Sequence, residues 1–116
     1  MPTNRHELFS RFDQQKPHIQ QLFDARQFKE AIQPMREAIQ SFKVLLYELN
    51  QTDDLTKDMD SLSIKPINIK ERFEYVEGNL KQYHAYLQLI TLYEEVEKLY
   101  AKEAIKQAMR HQQIHH

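Results

Sequence analysis

Cysteine is absent from this sequence and glycine occurs once, and each scarcity removes a class of protein. Without thiols there is no disulfide framework, no zinc knuckle and no cysteine nucleophile. With one glycine the chain lacks the tight hairpin turns of a sheet protein, and it has no phosphate-cradling loop. No apolar run approaches the roughly 18 residues that a membrane span requires. Neither sign of charge dominates: 16 basic residues face 17 acidic ones, for a net charge of −1. Overall charge therefore singles out neither nucleic acid nor a membrane as partner. The opening stretch MPTNRHELFSRF carries charges where a secretory signal needs a continuous apolar run. A cytoplasmic protein without a membrane association is the expectation.

What is present points to helices. Gln, Glu, Lys, Leu and Ala are abundant, and 116 residues suit a single helical domain spanning 1–116. A chain of this length buries roughly two-thirds of its unfolded surface and needs no staple. The run from Leu80 to Met109 contains neither Gly nor Pro. Leu80, Tyr83, Leu87 and Ile90 form one apolar line, and Tyr86, Leu89, Tyr93, Val96 and Tyr100 a second. A helix apolar over so wide an arc touches neighbours on two sides. At ~1.5 Å per residue it runs for ~45 Å, so its last turns project, and the tail from about residue 110 to 116 frays. The tyrosines along it are expected in the core, with hydroxyls reaching the surface.

Upstream, Asn4 is placed to cap a first helix, with Glu7 at the matching box position. Leu8, Phe12, Ile19, Leu22 and Phe23 keep helical spacing across Pro17, which predicts a break near Gln15. Phe28, Ala31, Ile32, Met35, Ala38, Ile39, Phe42, Leu45, Leu46 and Leu49 recur at three- and four-residue steps, with Pro34 off the stripe. Residues 51–68 interrupt the pattern. Asp53 suits the cap of a short helix carrying Leu55, Met59 and Leu62. Ile64-Lys65-Pro66-Ile67-Asn68 reads as an extended strap pinned by its two isoleucines. Asn68 then caps a helix bearing Glu71, Phe73 and Val76, and Gly78 ends it in a left-handed stop. The fold expected is all-α: a four- to five-helix bundle, with a proline-containing strap between the second long helix and the C-terminal helices.

One fragment, Phe28 to Ile39, is similar to the second helix of a tetratricopeptide unit. Such units stabilise one another by stacking, and no second copy follows. Three other stretches together resemble the YpoC-like family. They are Leu22 to Ala31, Ile64 to Phe73 (containing Lys-Pro-Ile-Asn-x-Lys-Glu-Arg) and Tyr93 to Lys102. The resemblance covers roughly residues 19 to 103 and implies a small helical protein of Gram-positive bacteria. The family's activity is not established, and it supplies no catalytic residues to carry over.

Candidate functional residues fall in two places. Around the strap, Lys65, Asn68, Lys70 and Arg72 offer donors to an anion or a partner's carboxylate. The plainer reading is that Asn68 caps a helix while Lys70 and Arg72 are solvated. Near the end, Lys98, Lys102, Lys106 and Arg110 occupy successive i, i+4 positions. Like charges so spaced repel mildly, so the row suits phosphates or an acidic partner, or else a wet face near a helix C-terminus. Arg110, His111 and His115 resemble the Arg-polar-x-x-x-His motif of HEPN ribonucleases, in which Arg holds developing negative charge and His moves a proton. That motif belongs within a helical body, whereas here it ends the chain. His111, His115 and His116 lack the carboxylate neighbours of a metal site, so neither metal nor cofactor is assigned.

The reading is a non-enzymatic protein-interaction or adaptor module with an unidentified protein partner, a homodimer being left open. The alternative is a nucleic-acid-binding or HEPN-like ribonuclease domain.

Overall fold

The computed structural model describes residues 5–114, and side chains over residues 7–110. Asn4, expected as the first cap, lies outside them. All regular structure among the described residues is helical. Helix α1 spans Arg5–Asp24, α2 Phe28–Leu49, α3 Ile69–Gly78 and α4 Tyr83–Ile114, with one 3-10 turn at Met59–Ser61. Four helices form, the lower of the two numbers expected.

The difference lies at Pro17. The expected break near Gln15 does not occur, and α1 runs through the proline unbroken. A proline withdraws one donor from the carbonyl four residues back, here Asp13. Asp13 and Pro17 are both exposed, so the lost bond lies on the outer side of the helix, and Phe12 and Ile19 are both buried and hold it down on either side. Pro34 likewise sits inside a continuous α2.

Helix α2 is the most deeply set element. Ala31, Met35, Ala38, Ile39, Phe42, Leu45 and Leu46 are all buried, as the apolar stripe requires. It packs against α1, α3 and α4. Helix α4 also meets the other three, through Ala85, Tyr86, Leu89, Leu92, Tyr93 and Val96. Of its two predicted stripes only the second is buried; Tyr83 and Leu87 in the first are exposed. The helix begins at Tyr83, and not at Leu80, because residues 79–82 form the turn from α3.

Of the tyrosines along α4, Tyr86 and Tyr93 are in the core and Tyr100 is partly buried, whereas Tyr83 is exposed and meets Gln20. The hydroxyls of the first three do not reach for water. Tyr86 donates to the Lys16 carbonyl at 3.1 Å, Tyr93 to Ala38 at 2.6 Å and Tyr100 to Leu45 at 2.6 Å. Each hydroxyl thus ties α4 to the main chain of α1 or α2, the way a buried phenol avoids an unpaired polar atom. Phe12 stacks on Tyr93 with ring centroids 3.8 Å apart.

The segment between α2 and α3 departs from expectation at several points. The short helix forms at Met59–Ser61 after Asp58, and not after Asp53. Asp54 accepts hydrogen bonds from the Thr56 amide and hydroxyl, the local turn geometry that competes with a helix start. Pro66 is buried where Ile67 was expected to be, and Ile67 is 80% exposed. Asn68 does not cap α3 with its side chain; it sits at φ 58°, ψ 35°. Asn tolerates that left-handed region better than most residues, so its role is to turn the chain. Gly78 has no positive φ, and the stop is made by Asn79 instead. Its N–H bonds to Val76 and its side-chain amide to Tyr75.

Candidate functional site

The strap residues turn out to be engaged within the chain. Arg72 forks onto Glu95 of α4, with Nη1–Oε1 at 3.0 Å and Nη2–Oε2 at 2.5 Å. Its Nε donates to Gln88 at 2.9 Å, and Nη1 also reaches the Ile67 carbonyl at 3.0 Å. Lys65 donates to the carbonyls of Leu62 and Asp60 at 2.6 and 3.1 Å. Lys70 pairs with Asp58 at 3.3 Å, and that carboxylate raises the ammonium's pKa. Asn50 completes the set, its side chain bonding both the N–H and the C=O of Ile64 at 2.8 Å. Arg72 and Asn50 hold residues 58–72 to α4 and α2, while Lys65 and Lys70 close contacts within that segment, the Lys70 pair on the exposed side.

The cationic row is arranged differently. Lys98, Lys102, Lys106 and Arg110 are all exposed along one helix. Only Lys106 has a partner among the described residues, Glu103 at 3.7 Å. Ala101, Ile105, Ala108 and Met109 run beside the row at three- and four-residue steps. Each of Lys102, Lys106 and Arg110 follows one of these apolar residues by one position, so the row lies ~100° around the helix from the stripe. Ile105 is 61% and Met109 57% exposed. Both belong to the side away from the core, because Ile105 lies about two and a half turns beyond buried Val96. Ile105 and Met109 escaped the sequence reading because neither apolar line traced along α4 extends past Tyr100. The signal was available in phase: a stripe two and a half turns out of register with Val96 cannot face the same neighbours.

Past Glu103 each described side chain of α4 is exposed, and the described chain is elongated, with extents of 59 × 27 × 24 Å. The last residues flanking packed neighbours are Tyr100, edge-on to Phe9 with centroids 5.8 Å apart, and half-buried Glu103. Of the HEPN-like motif, Arg110 is exposed on this projecting end, while the His111 side chain, His115 and His116 lie outside the described residues.

Two concavities were not visible in the sequence. A groove of about 510 Å³ between α1 and α2 has Leu8, Phe12, Pro34, Ala38 and Tyr93 in its walls, with Arg11 and Arg36 also lining it. A recess of about 360 Å³ lies where the end of α2 meets α4 and the connection. It is lined by Glu48 and Glu103, and Glu48 Oε2 is buried without a hydrogen-bond partner. Among the described residues no three His, Cys, Asp or Glu side chains are grouped to hold a metal ion. No helix among them is long and apolar enough to cross a membrane.

The family model for YpoC-like proteins matches residues 3–108, nearly the whole chain, and the chain belongs to that family. No curated protein and no solved structure matches it.

Proposed function

We propose that this YpoC-like protein is a non-enzymatic, cytoplasmic interaction module that docks a protein partner on the projecting end of α4. Its four helices form a single-domain bundle, with the strap across one end. One observation carries the reading: Ile105 and Met109 are exposed on the side of α4 turned away from the core, beside Lys102, Lys106 and Arg110. An apolar stripe bordered by cations is the form of a helix that lies on an apolar surface rimmed by carboxylates. Phosphate tracking needs only the cations and leaves Ile105 and Met109 without a role. The strap cations contribute indirectly, since Arg72 and Lys70 anchor the body from which α4 extends.

The test is affinity capture with the full chain and with an Ile105→Asp/Lys106→Glu variant, alongside a gel-shift titration with RNA and DNA at low salt. Loss of captured protein in the variant, with flat nucleic-acid titrations, is the expected result. Salt-sensitive nucleic-acid binding that the variant abolishes, with capture unchanged, would transfer the site to the nucleic-acid reading.

A further inference from the structure

We infer that the partner surface for the cationic end of α4 is the acidic outer face of α3 in a second copy of this chain. The inference rests on the reading of α4 as a docking element and adds the identity of what it docks on.

Helix α3 carries Lys70, Glu71, Arg72, Glu74 and Glu77; Glu71 and Glu74 fall on its outer side, with Glu74 one turn beyond Lys70, whose pKa it helps to raise. Both cations are spent inside the molecule, Lys70 on Asp58 and Arg72 on Glu95. Glu71, Glu74 and Glu77 are exposed, and among the described residues none has an ion pair or a hydrogen bond. Glu71, Glu74 and Tyr75 fall on one face at three- and four-residue spacing, opposite buried Phe73 and Val76. Ile67 precedes them, and Tyr75 is also among the exposed large apolar residues. A Cβ added at Gly78 would meet nothing within 4 Å, so this end of the face is open. The outer side of α3 therefore presents carboxylates around exposed Tyr75, with exposed Ile67 in the connection just before the helix. The end of α4 presents cations beside two exposed apolar side chains.

Lys102 and Lys106 lie ~6 Å apart along α4, and Glu71 and Glu74 ~4.5 Å apart along α3. Packing Ile105 and Met109 between Tyr75 and Ile67 would bring the unpaired charges of the two faces together.

One copy cannot close this contact on itself. Arg72 meets Gln88 and Glu95, and the turn after α3 leads straight into Tyr83, so the two helices run antiparallel. Moving from Glu71 to Glu77 goes toward the start of α4, away from the cations. Lys106 lies ~16 Å beyond Glu95 along α4. Each chain thus has one donor face and one acceptor face that its own geometry keeps apart. Two copies satisfy both at once in a closed twofold pair, with the end of each α4 on the other's α3.

The measurement is sedimentation equilibrium of the full chain at low and high salt. Two charge reversals accompany it: Lys102→Glu/Lys106→Glu, and Glu71→Lys/Glu74→Lys. All four positions are exposed, so circular dichroism should show both variants folded with unchanged melting. The native chain is expected to dimerise, with affinity falling as salt rises. Each variant alone should dissociate at least ~10-fold more readily, because like charges then face each other. An equimolar mixture of the two should recover a pair holding one of each, since opposite signs meet again at both contacts. A native chain that stays monomeric, or a mixture that fails to pair, overturns the inference. If the chain is monomeric yet captures another protein through Ile105 and Lys106, only the self-contact falls. If that capture is also indifferent to Ile105→Asp/Lys106→Glu, the docking reading falls with it.

Discussion

Arg72 is the side chain on which the most separate contacts converge. Its guanidinium joins the connection, α3 and α4 through Ile67, Gln88 and Glu95, with side-chain exposures of 19% for Arg72 and 34% for Glu95. Partial burial makes this fork stronger than a surface pair, and removing one partner strands the other. Arg72→Ala should cost about 2–3 kcal/mol in urea unfolding, and Arg72→Lys should recover less than half of it, because an ammonium cannot form the fork. Tyr93 offers a second test at this scale. Burial pushes its phenol well above the ordinary range, and its hydroxyl donates to Ala38. The folded pKa is raised, so the unfolded chain releases the proton first. Stability is then intact below the ordinary phenol pKa of ~10 and declines above it, by ~1.4 kcal/mol per pH unit for each such group. Tyr93→Phe should lower stability at neutral pH by about 1 kcal/mol and make the alkaline decline shallower. Unfolding curves between neutral and alkaline pH read both effects.

Among the elements, the long helices were legible and the junctions were not, for a definite reason. The apolar steps of Phe28 to Leu49 repeat over many turns, so no single residue decides the outcome, and α2 formed across Pro34. A junction depends on one backbone angle. Gly78 looked like the stop of α3 because glycine is the cheapest residue at positive φ; the chain instead stopped one residue later, at Asn79. Asn68 looked like a side-chain cap and is a left-handed turn residue. Composition is similar for either role, and only the path of the chain separates them. The strap isoleucines divided for a related reason. With Asn50 binding both polar groups of Ile64, the following residues were committed to a path that buried Pro66 and left Ile67 outside. The strap cations were legible as a group, but their direction depended on Glu95, Asp58 and the Leu62 carbonyl, which are remote in sequence or concealed in the main chain. These assignments separate by mutation. Gly78→Ala should stabilise by about 0.5–1 kcal/mol, since the helix gains propensity and the added methyl meets nothing within 4 Å. Asn68→Ser should destabilise by about 1 kcal/mol while Asn68→Gly is near neutral, whereas a side-chain cap would accept Ser as readily as Asn. Thermal melts of the three variants decide between a cap and a turn.

For the molecule as a whole, the body and the end of α4 should separate in their energetics. Core residues extend along α4 as far as buried Val96, with Leu99 and Tyr100 partly buried behind it. Past Glu103 each described side chain is exposed, so the last turns receive no tertiary support. A helix of that length is marginal in water without packing, and it persists here because the buried part has already met the cost of nucleation. Truncation after Ala104 should therefore change the stability of the body by no more than about 0.5 kcal/mol, the range of surface changes, while abolishing whatever the end of α4 binds. Amide exchange reports the same division without cutting the chain. Protection should fall steadily from Val96 toward Met109 in the isolated monomer, because local opening costs less with each turn beyond the core. Any partner that packs on Ile105 and Met109 must reverse that gradient, since burying them adds the missing tertiary support. If those amides are already as slow as the ones at Val96 in a chain shown to be monomeric, the end of α4 has a neighbour within its own fold. It would then not be a free docking surface.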